Sequence, residues 1–164
     1  MKKISTLAVI LIIAITACAN EQLIQFNELP LLAQNFIQKY YNPADISYIE
    51  KDRDVLHNEY KLYLKDRTEI EFDHQGNLQS IDCHQSPVPQ NIVPQVITNY
   101  VQLHHPNLII VEYSVGLRHQ KVGLNNDWEL VFDNDGNFLG MDDWEKNYRK
   151  WDFHYQNCNK LTKN

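Results

Sequence analysis

The chain has 164 residues, 43% of them hydrophobic, 11% aromatic and 22% charged. That is enough for one domain or two small ones with an ordered core, which excludes a large multidomain enzyme and wholesale disorder. Its 15 cationic and 21 anionic side chains leave a net charge of −6, and no basic stripe follows Lys2 and Lys3, so the electrostatic footprint of a nucleic-acid binder is missing.

Met1-Lys2-Lys3 precedes an apolar run from Ile4 to Ile15, which leads into Ile15-Thr16-Ala17-Cys18. A run of about 12 residues makes a helix of about 18 Å, well short of a hydrocarbon core of about 30 Å, so residues 1–17 read as an export signal rather than a membrane anchor. Ile15-Thr16-Ala17-Cys18 resembles the lipobox of bacterial lipoproteins. The resemblance implies a lipidated Cys18 followed by a tether over residues 18–23, with the membrane touched through that lipid alone. A second cleavage reading stands beside it, in which Ala17-Cys18-Ala19 is cut as an A-x-A site to release a soluble protein beginning at Asn20. Loss of residues 1–17 leaves 13 cationic and 21 anionic side chains, a net of −8 that disfavours anionic lipid and nucleic acid.

Leu29, Leu32, Phe36, Ile37 and Tyr40 fall at helical spacing, with Pro30 tolerated near the start and Asn42-Pro43 as the stop. Strands are then predicted at Tyr60-x-Leu62-x-Leu64, Ile70-x-Phe72 and Leu78-x-x-Ile81, joined by tight turns at Lys65-Asp66-Arg67 and Asp73-His74-Gln75-Gly76. A second helical stripe, Ile92, Val93, Val96, Ile97, Tyr100 and Val101, ends before Pro106. Strands follow at Val122-x-Leu124, Trp128-x-Leu130-x-Phe132 and Phe138 to Met141, with turns at Asn125-Asn126-Asp127 and Asp133-Asn134-Asp135-Gly136. One-sided alternation implies an antiparallel sheet with one covered and one open face.

An offset of 60 positions aligns Leu64, Glu69, Phe72, Asp73, Gly76, Asn77 and Asp82 with Leu124, Glu129, Phe132, Asp133, Gly136, Asn137 and Asp142. The same offset pairs Ile37 with Ile97 and Tyr40 with Tyr100, whereas Asn42-Pro43 meets His105-Pro106 only after a shift of three, so a small insertion and a compensating deletion are expected between them. The predicted architecture is α+β, a tandem repeat of one helix plus an antiparallel four-stranded sheet over residues 24–83 and 84–143, followed by a tail over 144–164. Units of about 60 residues are marginal alone, so the two are expected to share a core and unfold together.

Three cysteines occur, Cys18, Cys83 and Cys158. With Cys18 lipidated, the other two are left in an oxidising compartment and are expected to form a disulfide. It would close a loop of about 75 residues, worth about 4 kcal/mol in the chain-entropy model. Two unpaired thiols is the alternative.

A helix ending in an aromatic residue, then proline, then a strand, then a hairpin closing on Phe-Asp-x-x-Gly-Asn, occurs twice in this chain. The residues are Tyr41-Asn42-Pro43-Ala44-Asp45-Ile46 with Phe72-Asp73-His74-Gln75-Gly76-Asn77, and His105-Pro106-Asn107-Leu108-Ile109 with Phe132-Asp133-Asn134-Asp135-Gly136-Asn137. The pattern resembles the PepSY-like, β-lactamase-inhibitor-like lipoproteins of Bacteroidetes-type bacteria over about residues 24–143. The resemblance implies the tandem helix-plus-sheet fold and a family without an assigned activity; inhibition of β-lactamase belongs to the fold's namesake and does not transfer with the fold. The tail, acidic at its opening and carrying Trp144 and Trp151, lies outside the shared pattern.

No residue set compels a chemistry. Asp133-Asn134-Asp135-Gly136-Asn137 has calcium-like oxygens, but its glycine stands fourth where an EF-hand needs it sixth, so it reads as a turn. Cys83-His84 and His104-His105 are adjacent pairs that diverge on a strand or helix, and no metal or other cofactor is expected. Ser86 and Ser114 lie outside any nucleophile-elbow frame. Aromatic residues remain: Tyr63 falls out of phase with Tyr60, Leu62 and Leu64, and Tyr48, Tyr63, Trp144 and Trp151 are candidates for a binding face. Cross-strand packing explains such tyrosines equally simply. The reading is a non-enzymatic protein- or peptide-binding module of the cell envelope, periplasmic or surface, with an inhibitor-like action on a peptidase as its special case and an envelope hydrolase of unrecognised site as the alternative.

Overall fold

The computed structural model describes residues 21–52 and 59–142. In chain order it contains β1 (Glu21–Leu23), a 3₁₀ turn (Phe26–Glu28), α1 (Leu31–Tyr40), a second 3₁₀ turn (Pro43–Asp45), β2 (Ile46–Asp52), β3 (Tyr60–Leu64), β4 (Glu69–Phe72), β5 (Leu78–Asp82), α2 (Gln95–His104), β6 (Ile110–Val115), β7 (His119–Leu124), β8 (Glu129–Asp133) and β9 (Phe138–Asp142). The class is α+β: two helices and a single antiparallel sheet of nine strands, each paired with the strand before it in sequence. Residues 21–23, placed by the sequence in a tether, form edge strand β1 against β2. The export segment, Cys18, Trp144, Trp151, Cys158 and the tail lie outside the described residues.

Register explains the core. Ile49, Leu62, Ile70, Ile81, Tyr113, Val122 and Leu130 face one another in direct succession from β2 to β8, and all are buried. A side-chain period of two sends their neighbours to the opposite face. The helices cover the apolar side, Ala33 and Ile37 from α1 and Ile97 and Val101 from α2 joining the strands in one cluster with Phe72 and Phe132.

The helical stripes differ from expectation. Leu32 and Val96 are about half exposed, and the buried ridges are Leu29, Ala33, Ile37 and Val93, Ile97, Val101, spaced by four. The offset also differs. Both helices have ten residues and begin after a proline, Pro30 or Pro94, placed 64 positions apart, whereas β4 and β8 start 60 apart. Ile37 therefore stands where Val101 stands, one helical turn from its expected partner Ile97. Strands β2 and β6 also start 64 apart, so the change of four residues falls in the connection from β2 to β3 against that from β6 to β7, with no compensating deletion earlier.

The two Phe-Asp-x-x-Gly-Asn hairpins have a mechanical reason. Gly76 and Gly136 adopt φ of +89° and +85°, which favour glycine. A Cβ at Gly76 would stand 2.8 Å from Pro30 Cβ and 2.9 Å from the Ala33 backbone nitrogen, and one at Gly136 would overlap Val96. Each hairpin tip thus seats on the first turn of a helix, and this contact fixes helix against sheet.

Candidate functional site

The face turned away from the helices is where the out-of-phase residues collect. Tyr48 and Tyr63 sit opposite each other on β2 and β3, stacked with ring centroids 4.4 Å apart, and the Lys61 ammonium lies 5.6 Å from the Tyr63 ring. Cross-strand packing and surface presentation are both realised by this pair, since Tyr48 remains exposed.

Beside the tyrosines runs a row that sequence reading missed. Tyr63, Glu69, Asp82, Glu112, Gly123 and Glu129 are consecutive register partners across six strands. The next row contains Lys61, Glu71, Ser80, Ser114 and Lys121. Lys61 bridges Glu69 at 3.3 Å and Glu71 at 3.0 Å, Ser80 Oγ donates to Glu71 at 2.9 Å, and Lys121 Nζ bonds Glu129 at 2.6 Å. The two lysines are thus held at either end, while Asp82 and Glu112 face each other in the middle. Glu69, Glu71, Asp82 and Glu129 are polar residues out of phase with Ile70, Ile81 or Leu130, whereas Glu112 lies on a strand the sequence analysis did not place; only strand register lines them up.

Electrostatics marks Glu112 within this row. Burial pushes its carboxyl above the usual range, Asp82 and Glu129 push it further, and Lys121 opposes them. Gly123 makes room for it, because a Cβ there would lie 2.9 Å from Glu112 Cβ and 3.0 Å from Oε2. On Lys61 burial acts to lower the pKa, but Glu71 and Glu69 outweigh it and hold the ammonium charged. The row opens into a groove of about 630 Å³ lined by Asp82, His84, Glu112, Gly123, Trp128 and Glu129 among others. Trp128, expected in the inward strand pattern, instead precedes β8 and is 46% exposed at this rim.

The Asp-x-x-Gly turns resemble calcium loops only on paper. Asp73 Oδ1 accepts from the backbone N–H groups of Gln75 and Asn77, and Oδ2 accepts from Asn77 Nδ2; Asp133 does the same with Asp135 and Asn137. The Asn137 side chain and backbone lower the Asp133 carboxyl below its ordinary value. For Asp73 burial acts upward, but the bonds from Asn77 and its neighbours prevail and its value is lowered too. These oxygens are already engaged in closing the turn.

The remaining candidates separate. Cys83 is buried, its Sγ 3.9 Å from the Tyr41 hydroxyl, and burial raises both groups above their usual values, contrary to what a reactive thiolate needs. His84 is outside, at a positive φ of 54°, with Nδ1 3.6 Å from Asp82. His104 stacks against Tyr100 while His105 packs edge-on to Trp128. Among the described residues no three His, Cys, Asp or Glu side chains converge as metal ligands.

The profile of the PepSY-like, β-lactamase-inhibitor-like family matches residues 15–79 and again residues 58–140. The chain belongs to this PepSY-like family. Solved structures resemble it closely enough to carry more than the fold. A Bacteroides thetaiotaomicron protein described as a "putative calcium-regulated periplasmic protein" is 28% identical, with a TM-score of 0.72, covering 75% of this chain and 97% of its own. Two Bacteroides vulgatus proteins described as periplasmic are each 28% identical with TM-scores of 0.71, covering 77% and 75% of this chain and 99% of their own. Comparison with curated proteins found no match. These similar structures are all described as periplasmic proteins, the family's description names no reaction, and no described helix of this chain is long and apolar enough to cross a membrane.

Proposed function

We propose that this PepSY-like protein is a non-enzymatic binding module of the cell envelope that holds a cationic segment of a protein partner on its open sheet face. The observation that carries the reading is the row Glu69, Asp82, Glu112 and Glu129, in which Asp82 and Glu112 repel each other at the centre. A lysine or arginine laid between them relieves that repulsion, and the Tyr48–Tyr63 stack offers flat contact area beside it. Export on residues 1–17 with lipidation at Cys18, a Cys83–Cys158 bridge, and descent of the fold from two copies of one helix-plus-four-strand unit belong to the same reading. The last is supported by the matching helix lengths, proline starts and glycine turns.

The B. thetaiotaomicron relative is described as calcium-regulated; in this chain the turn carboxylates are already engaged in closing their own turns. Titration with a Lys/Arg-rich peptide tests the reading. Saturable binding that weakens with salt, and that Glu112→Lys abolishes while the fold persists, is the expected result; binding unaffected by that substitution overturns it. The alternative of an envelope hydrolase has one observation in its favour, a carboxyl of raised pKa beside a second carboxylate in a groove. Turnover of ester or glycoside substrates lost in Glu112→Gln would establish it.

A further inference from the structure

The helix side of the sheet holds a second cavity, which shares no lining residue with the acidic groove. It encloses about 370 Å³ between α2, the start of β6 and the connection from β5 into α2, a volume within the range of small-molecule pockets. The two units differ at this place. At the offset of 64, Phe26, Gln34, Ala44 and Asp45 correspond to Gln90, Thr98, Leu108 and Ile109. The turn before each helix closes with the same bond, Glu28 N–H to the Gln25 carbonyl at 2.9 Å and Ile92 N–H to the Pro89 carbonyl at 3.3 Å. In the first unit Phe26 packs against the core, and Gln34 Nε2 donates to the Leu29 carbonyl at 2.8 Å, tying turn to helix. In the second, Gln90 is exposed and Thr98 Oγ1 donates to the Pro94 carbonyl at its own helix start, and both line the cavity instead of filling it.

The floor differs too, since Leu108 and Ile109 stand where the first unit has Ala44 and Asp45, and they join Val93, Val101 and Ile110. None of the lining side chains is ionisable, in a chain where 22% of residues are charged. The polar groups around this apolar floor are Gln90, Asn91, Gln95, Thr98 and Gln102, whose amides and hydroxyl both donate and accept. The wall is already held in place. Val88 N–H donates to the Ile110 carbonyl at 2.9 Å, the Tyr40 hydroxyl at the end of α1 donates to the Asn91 carbonyl at 3.2 Å, and Asn91 takes a left-handed φ of +68° that asparagine tolerates. A charged group would lose its hydration here without meeting a countercharge. We propose that this cavity binds a small neutral molecule with an aromatic ring and an amide or hydroxyl edge, the ring supplying the packing that Phe26 gives the first unit. The site goes beyond the cationic-partner reading and stands or falls apart from it.

Titration of the lipid-free protein with benzamide, followed by two-dimensional amide NMR, tests the site. Expected are saturable shifts at Val93, Thr98, Val101 and Ile110 with a dissociation constant of about 1–5 mM, in keeping with so small a ligand. Benzoate, of the same shape but charged, should bind at least about tenfold more weakly. Gln90→Phe restores the first unit's residue at an exposed position, and Thr98→Gln does the same from the helix. A loss of about tenfold or more in either variant, with the rest of the spectrum unchanged, supports the proposal. Saturable shifts confined to other residues, no shifts up to about 20 mM, equal affinity for benzoate, or full binding in both variants each overturns it. Glu112→Lys should leave benzamide binding unchanged, so failure of this site and failure of the cationic-partner reading are separate results.

Discussion

Glu112 illustrates how a single residue's surroundings become a measurable liability. Its carboxyl is raised by burial first and by Asp82 and Glu129 next. In the folded protein it therefore holds its proton to higher pH than in the unfolded chain. Stability gained from that proton is present below the ordinary carboxyl range and is lost as pH rises through the raised value, so at neutral pH the charged form is a net cost. Glu112→Gln is expected to raise the melting temperature at pH 7 by roughly 2–4 °C, after allowance for solvent screening. The gain should shrink toward zero below about pH 4. Thermal melts across that range check it, and a substitution that destabilises at pH 7 contradicts the assignment. Gly136 is the opposite case, a residue without which two parts cannot touch. Gly136→Ala meets both an unfavourable φ and Val96, and should cost about 2 kcal/mol in urea unfolding. Adding Val96→Ala should restore only the part due to contact.

At the scale of elements, the β4–β5 and β8–β9 hairpins carry the turn carboxylates that look most like calcium ligands in the sequence. Asp73 and Asp133 already accept three hydrogen bonds each from their own turns. The melting temperature should therefore be the same in 2 mM calcium and in chelator, whereas a site of about 0.1 mM affinity would add about 1.8 kcal/mol. Elements were also where sequence reading did best. Period-two alternation located strands such as Tyr60–Leu64 and Glu129–Asp133 because one face is covered and the other is not. It did less well on the helices, because several apolar residues compete for each stripe. Ala33 is too small to stand out beside Leu32, although its size is what lets the backbone approach Gly76. The acidic row was not legible at all, since Glu69, Asp82, Glu112 and Glu129 are spread over 61 positions and only register makes them neighbours.

For the whole molecule, the question is whether the helix-plus-strands segments are independent. One buried register row runs from Ile49 to Leu130 without a break, and β5 pairs with β6 across the middle. No segment can unfold without exposing its neighbour's core, so denaturant unfolding should be a single transition with coincident near- and far-ultraviolet signals. Two resolved transitions would show the β5–β6 seam to be weak. The proposed Cys83–Cys158 bridge belongs to this scale as well. An unreduced mass about 2 Da below the reduced one is expected for the exported protein, and alkylation of Cys83 without reduction counts against it.

Strand order in space is strand order in the chain, from β1 to β9. The consequence concerns time. No strand waits for a later one to be inserted beside it, and the longest interval between paired neighbours is the passage through α2. A protein that crosses a membrane from its N-terminal end is delivered as a thread. This sheet can be laid down along that thread as it arrives, each strand templating the next, with little need for distant ends to find each other. Refolding from denaturant should accordingly be fast for a sheet of this size, with β9 the last of the described strands to dock.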